Sequence, residues 1–314
     1  MRQTEMRHTD AKGLETLPAD RVLRLLAHGQ IAAAQSVESA IPDIARGAHL
    51  AATKIAAGGR LIYAAAGSSG LMALADGLEL PGTYGIEQNR IAVVLAGGLQ
   101  SLTNMAGGPE DDSDAARRAI EALAPSDRDC LIAVTASGQT PFPMAALAAV
   151  REAGGATIAI ANNEGSPILS AADVGICLPT PPELIAGSTR MGAGTAQKIA
   201  LNMLSTMMAI ELGHVHDGYM VNLVADNIKL RDRARAIVSA IAGVDDTVAA
   251  RALDTSQGFV KPAVLLAAGA PDLAAARQLL DTHGGVLRPA LAALGHAPSE
   301  PGETRFSDET ATVS

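Results

Sequence analysis

Five short apolar runs, at residues 61–66, 90–96, 129–136, 156–161 and 174–178, alternate with stretches whose apolar residues recur at helical spacing, around 71–80, 114–123 and 143–153. A continuous apolar run has no polar face to offer water, so it reads as a strand covered on both sides. Strands of this kind joined by helices pair in parallel through right-handed crossovers. The expected class is therefore α/β, with a parallel sheet between helical layers. Ligands of such sheets bind beyond the carboxyl ends of the strands.

The remaining segments are helical or polar. Residues 19–57 read as two helices, with Asp20 placed to cap the first and Pro42 to kink or divide the second. This lead-in, residues 1–57, either covers its own sheet or packs across a partner subunit. The sheet domain is expected over 58–225, ending in a long helix over 188–212. A small helical domain is expected over 226–296, with one helix over 226–241 and three or four short ones over 245–294. The polar, acidic tail at 297–314 is expected to be disordered.

Composition narrows the function. Hydrophobic residues make up 48% of the chain and aromatics only 2%, so helices must pack closely through small side chains. A net charge of −9 without a Lys/Arg cluster argues against a nucleic-acid partner. No run of about 20 apolar residues is present to span a bilayer, and the first residues lack the apolar core of a signal peptide. No membrane association is expected, and the expected compartment is the cytoplasm. Cys130 and Cys177 lie in apolar runs, where thiols are inert, and form neither a metal spacing nor a disulfide framework. His214 and His216, near Asp217, lack further ligands at supporting spacing, so no metal is expected.

Three polar loops follow strands and can bring chemistry to one edge. Gly67-Ser68-Ser69-Gly70 leads from the first strand into a helix, where backbone N–H groups and the helix dipole suit a phosphate. Thr135-Ala136-Ser137-Gly138-Gln139-Thr140-Pro141 follows the third strand and adds hydroxyls at the same edge. Pro182-Glu183-Leu184-Ile185-Ala186-Gly187-Ser188-Thr189-Arg190 precedes the long helix, which Ser188 or Thr189 can cap. Glu183 is the carboxylate of that loop, facing either solvent or ligand. Glu79 stands at the end of the first post-strand helix, between leucines and before Pro81, which is expected to stop the helix. An acid in apolar surroundings has the raised pKa that a general acid or base near neutrality needs; the alternative is an ordinary surface acid. Glu110-Asp111-Asp112 reads as a dipole-complementing, capping run ahead of a helix.

Together GGRLIYAAAGSSG, TASGQTP, PPELIAGSTRMGAGTAQKIALNMLST and NIKLRDRA resemble the N-acetylmuramic acid 6-phosphate etherases of the sugar-isomerase (SIS) superfamily, from Thr4-Glu5 to about Leu294. The resemblance implies a SIS-type five-stranded parallel sheet flanked by helices, N-terminal helices, a small C-terminal helical domain and a homodimer. It implies a lyase that converts N-acetylmuramic acid 6-phosphate and water to N-acetylglucosamine 6-phosphate and D-lactate, within amino sugar metabolism and peptidoglycan recycling. Ring opening exposes a C1 aldehyde that acidifies the C2 proton; its removal expels lactate from C3, and water then adds. The resemblance assigns the base to Glu79 and substrate contacts to Ser68, Ser69, Ser137, Thr140, Glu183, Ser188 and Thr189, with no cofactor.

Three positions depart from the family pattern. A second functional acid is expected at the position of Gly107, with Glu110 close enough to substitute, and basic residues are expected at Leu71 and Gly192. A non-catalytic sugar-phosphate-binding regulator and a sugar-phosphate isomerase are the alternative readings. Release of lactate separates the etherase from both.

Overall fold

Each apolar run forms a strand in the computed structural model of the protein, which describes residues 2–104, 106–223 and 228–296. The strands are β1 (Leu61–Ala65), β2 (Ile91–Leu95), β3 (Cys130–Thr135), β4 (Ala156–Ala161) and β5 (Val174–Cys177). All pair in parallel, in the order β2-β1-β3-β4-β5. From β1 the chain first moves outward to β2 and then returns to the other side of β1 for β3. The winding direction therefore reverses between β1 and β3, and the crevice at such a reversal is where open α/β sheets hold their ligands.

Side chains of the strands alternate between two cores. Leu61, Tyr63, Ala65, Ile132, Ile158 and Ile160 face one cluster, with buried residues of α2 (Ile41–Ala56), α3 (Gly67–Tyr84) and α7 (Gly192–Glu211). Ile62, Ala64, Leu131, Ala133 and Ala159 face the other, with α4 (Ser113–Ala122), α5 (Pro141–Glu152) and α6 (Pro167–Ala171). The shortage of aromatics is met by close helix approach: a Cβ at Gly47 of α2 would already touch Leu204 of α7 and Ile176 of β5 at 3.4 Å. The buried Tyr63 hydroxyl donates to Asp76 (2.9 Å), which also accepts from Ser205 (3.0 Å), so β1, α3 and α7 share one polar node. Burial lifts the Asp76 carboxyl above its ordinary range despite these donors.

The amino edge of the sheet is clamped by charge. Asp129, just before β3, accepts from the Arg60 backbone N–H (2.9 Å), from the Arg60 guanidinium (3.0 and 2.8 Å) and from the Ser126 N–H (2.8 Å). Burial pushes this carboxyl up, and the Arg60 and Ser126 bonds outweigh it and hold the group below the usual range. Arg90, ahead of β2, donates to the Gly59 and Ile55 carbonyls. Gly59 is required here, because a Cβ would lie 1.9 Å from the Arg128 carbonyl oxygen. Burial also pushes the Cys130 thiol up to about 12, which leaves it inert.

Several sequence expectations are corrected. Asp20 lies inside the first turn of α1 (Ala19–Gln35), whose N-cap is Pro18, so it complements the helix dipole without capping. Pro42 opens α2 at its first turn, where a missing N–H costs nothing. Pro81 does not end α3, which continues to Tyr84 and stops at Gly85 in a left-handed conformation. Ahead of α1 the chain forms short 3-10 turns, at Gln3–Glu5, Thr9–Ala11 and Leu14–Thr16. The long helix begins at Gly192 and not at Ser188. After α7, a two-residue hairpin joins β6 (Val215–His216) to β7 (Tyr219–Met220).

The chain divides into two units, Met1–Leu223 and Val224–Ser314. The lead-in helices therefore belong with the sheet, and α2 covers it directly. The second unit is helical: α8 (Ile228–Ala242), α9 (Asp246–Thr255), α10 (Val260–Ala267), α11 (Leu273–Thr282) and α12 (Leu287–Ala293). Asp245 and Asp272 cap α9 and α11. Lys261 is buried with its ammonium on the Gly285 carbonyl (2.7 Å), and burial lowers it to about 8. The start of the expected 226–241 helix and the 297–314 tail lie outside the described residues. Among the described residues, no helix is long and apolar enough to cross a membrane.

Candidate active site

The loops after β1 and β3 meet because their strands are neighbours. β1 runs straight into α3, and the first intrahelical bond there is from the Gly70 N–H to the Ala66 carbonyl (3.1 Å). The N–H groups of Gly67, Ser68 and Ser69 therefore have no acceptor within the helix. After β3, the hydroxyls of Thr135, Ser137 and Thr140 form a small network, with Thr140 Oγ1 at 2.8 Å from Thr135 Oγ1 and 3.2 Å from Ser137 Oγ. The turn between them depends on Gly138 at φ +70°, where a Cβ would sit 2.2 Å from Ser166. Thr140 then precedes Pro141 at the first position of α5.

These groups line a polar cavity of about 320 Å³ whose wall includes Ser68, Ser69, Ser137, Thr140, Thr189 and Glu110. Glu110 comes from the acidic run, and the run divides its labour. Asp112 caps α4 through the Ala115 N–H (2.8 Å), whereas Glu110 turns back toward Gly67. A smaller cavity of about 20 Å³, lined by Leu71, Leu95 and Leu102, shares Ala66, Gly67 and Glu110 with the first. The Glu110 carboxyl is half-buried, and burial, reinforced by the charge of Asp111, raises its pKa. A carboxyl whose pKa is raised beside a polar cavity holds its proton more readily than a free one, which suits a general acid or base.

That tuning has a measurable cost. Because the folded pKa lies above the unfolded one, ionisation favours the unfolded chain, so Glu110 lowers stability once pH exceeds its ordinary value and has no effect below it. Glu110→Gln is expected to raise Tm at pH 7.5, and the difference should vanish near pH 4. A thermal melt at both pH values checks the sign.

The approach of Glu110 also explains the first glycine of the turn. Gly67 has φ +54°, and a Cβ there would lie 2.6 Å from Glu110 Oε1. Gly67→Ala is expected to cost about 1–2 kcal/mol through backbone strain and to lower turnover at least about tenfold by displacing the carboxylate. Urea unfolding and steady-state rates on the same variant check both parts.

Other expected site residues lie elsewhere. Glu183 is buried and not among the residues of this cavity; its carboxylate accepts from the Gly192 N–H (3.0 Å) and the Ala193 N–H (2.9 Å), and so caps α7 in place of Ser188 or Thr189. Ser188 is half-buried in the same loop but is also outside the cavity lining. Glu79 is exposed on α3, twelve residues beyond Gly67, which is about 18 Å along a helix. Of the leucines on either side of it, Leu80 turns into the core and Leu78 is 57% exposed, so the Glu79 side chain itself stands in the open.

The departures also find positions. Gly107 is exposed with nothing within 4 Å of a built Cβ, while the acid that reaches the cavity is Glu110. Leu71 lines the small cavity together with Glu110. Gly192 is packed so tightly that a Cβ would meet Ala33 and Glu183 at 3.1 Å. Thr135 and Gly187, from the loops already singled out, also line the cavity, and so do Thr4 and Glu5, which no periodicity marks in the sequence.

Comparison with known proteins decides the family. The SIS domain model matches residues 84–212. The N-acetylmuramic acid 6-phosphate etherase of Deinococcus radiodurans is 40% identical over 265 residues, covering 84% of this chain and 87% of that protein. The chain belongs to the N-acetylmuramic acid 6-phosphate etherase family. Within this etherase family, the Symbiobacterium thermophilum protein of the same name is 41% identical over 262 residues, covering 82% of this chain and 87% of its own length. A third etherase, from Geobacillus thermodenitrificans, is 38% identical over 263 residues, covering 84% and 89%.

Proposed function

We propose that the chain is a carbon–oxygen lyase that cleaves the D-lactyl ether of N-acetylmuramic acid 6-phosphate, giving N-acetylglucosamine 6-phosphate and D-lactate. The observation that carries this reading is Glu110, a carboxyl of raised pKa standing over Gly67 in a cavity lined with serine and threonine hydroxyls. The hydroxyls of Ser68, Ser69, Ser137 and Thr140, with the open N–H groups of the first turn of α3, hold the phosphate. Among the described residues no lysine or arginine lines the cavity, so hydrogen bonds and the helix dipole hold the anion. Thr189 faces the sugar.

In the ring-opened sugar, the C1 aldehyde acidifies the C2 proton. A carboxylate takes it, the C3–O bond breaks with its electron pair leaving on lactate, and a double bond forms between C2 and C3. Water then adds its oxygen to C3, and the proton returns to C2. Glu110 is one acid–base group of this sequence and Glu79 the other. Within one chain Glu79 lies about 18 Å from Gly67 along α3, so it acts at the site of a second copy. The exposed Leu78 of α3 and Met207 and Ile210 of α7, a helix packed on α3, fit the face of a homodimer. Glu183 and Ser188 contribute by holding the loop that carries Thr189. The phosphorylated substrate is a metabolite of the cytoplasm, where the enzyme acts.

Turnover in heavy-oxygen water and deuterium oxide tests the bond that breaks. The heavy oxygen is expected at C3 of the product sugar, with deuterium at C2. Heavy oxygen in lactate, or a C2 proton retained throughout, would contradict elimination.

A further inference from the structure

Residues Gln3–Glu5 form a strap over the carboxyl edge of the sheet, although nothing in the sequence periodicity marks them. Thr4 is 1% exposed and is held from 159 positions away: Asn163, just after β4, accepts from the Thr4 N–H (3.3 Å) and donates to its hydroxyl (3.1 Å). The same Asn163 amide donates to the Ala136 carbonyl (2.8 Å), tying the strap to the loop that bears Ser137. The Thr4 carbonyl accepts from the Gly187 N–H (3.2 Å), tying it also to the loop that bears Thr189. This anchoring delivers the next side chain, Glu5, into the cavity wall. Its carboxylate lies over Gly187, 3.6 Å from where a Cβ would be, at a residue whose φ of +76° favours glycine. Among the described residues it has no hydrogen-bond or ion-pair partner.

We propose that Glu5 is a specificity-determining residue that accepts a hydrogen bond from a neutral donor of the bound sugar, a hydroxyl or the acetamido N–H. The inference rests on the etherase reading. A free carboxylate at one side of the cavity repels both anionic groups of the substrate, the phosphate and the lactyl carboxylate. The phosphate is thereby directed to the Ser68, Ser69, Ser137 and Thr140 side, and a neutral edge of the sugar is turned to Glu5. An ionised acceptor is the stronger partner for such a donor.

The test uses the full chain and compares wild type with Glu5→Ala and Glu5→Gln. Loss of a hydrogen bond to a charged group is expected to raise KM for N-acetylmuramic acid 6-phosphate about tenfold or more in the alanine variant, with kcat little changed. The glutamine variant, which keeps an acceptor oxygen, is expected to recover part of the loss. Stabilisation by inorganic phosphate should not weaken in either variant, since a repelling charge has been removed, while stabilisation by N-acetylglucosamine 6-phosphate should weaken in Glu5→Ala. An active wild type whose KM is unmoved by Glu5→Ala would overturn the role of Glu5 and leave the etherase reading standing. Equal weakening toward inorganic phosphate would also overturn it, by making Glu5 a general support of the site. A wild type that neither releases lactate nor responds to the sugar phosphate would overturn both.

Discussion

Replacing Glu110 with Gln is expected to lower D-lactate release by about 10²–10⁴-fold while leaving sugar-phosphate binding nearly intact. The substitution keeps the shape of the side chain beside Gly67 and removes only its capacity to exchange a proton. The hydroxyls and N–H groups assigned to the phosphate are separate from it, so a thermal shift with N-acetylglucosamine 6-phosphate should persist. The loss should therefore fall on kcat, the signature of an interaction made in the chemical step. Turnover at the wild-type rate would remove Glu110 from the mechanism. The contrast with its sequence neighbours is physical: Asp111 is exposed, Asp112 is spent on the first turn of α4, and Glu110 alone of the three lines the cavity.

The second large effect is expected at Glu183. Its two oxygens accept from the first N–H groups of α7, the helix that packs against α1, α2 and α3. Removing a buried, charged cap leaves those donors unpaired, and Glu183→Ala is expected to destabilise the first unit by about 3 kcal/mol. For a unit of this size that is roughly 6–12 °C in Tm. Activity should fall too, because Thr189 lies in the loop that Glu183 fastens to α7. Denaturant unfolding read alongside kinetics separates the two: an unchanged midpoint with reduced kcat would mean that Glu183 touches substrate and that the capping role is secondary.

The sheet was legible because its strands are buried on both faces, and continuous apolar runs bounded by glycine state that directly. The loops that line the cavity were legible for a related reason, since Ser68, Ser69, Ser137 and Thr140 sit where strand-to-helix turns must expose their N–H groups. Helix ends were less legible. Pro81 is tolerated inside α3 and Asp20 sits one position inside α1, distinctions that depend on tertiary support and not on local residue type. Glu183 looks the same in sequence whether it meets a ligand or a helix end, and only the position of Gly192 resolves it. The acid at Glu110 was obscured by its own neighbours, because an acidic run before a helix reads as capping and one member of it does cap. Glu79 carries the family's resemblance, yet its distance from Gly67 is a property of helix length that motif matching does not register. Thr4 and Glu5 were the least visible, held to the site by the Asn163 side chain and the Gly187 N–H, each more than a hundred residues away.

The most direct test of the account is D-lactate release from N-acetylmuramic acid 6-phosphate by the purified wild-type chain, with Glu110→Gln assayed beside it. Lactate and N-acetylglucosamine 6-phosphate are expected in equal amounts from the wild type, and almost none from the variant. Stabilisation of the wild type by the sugar phosphate without any lactate would contradict it, and would make the chain a binder of sugar phosphates on an etherase scaffold.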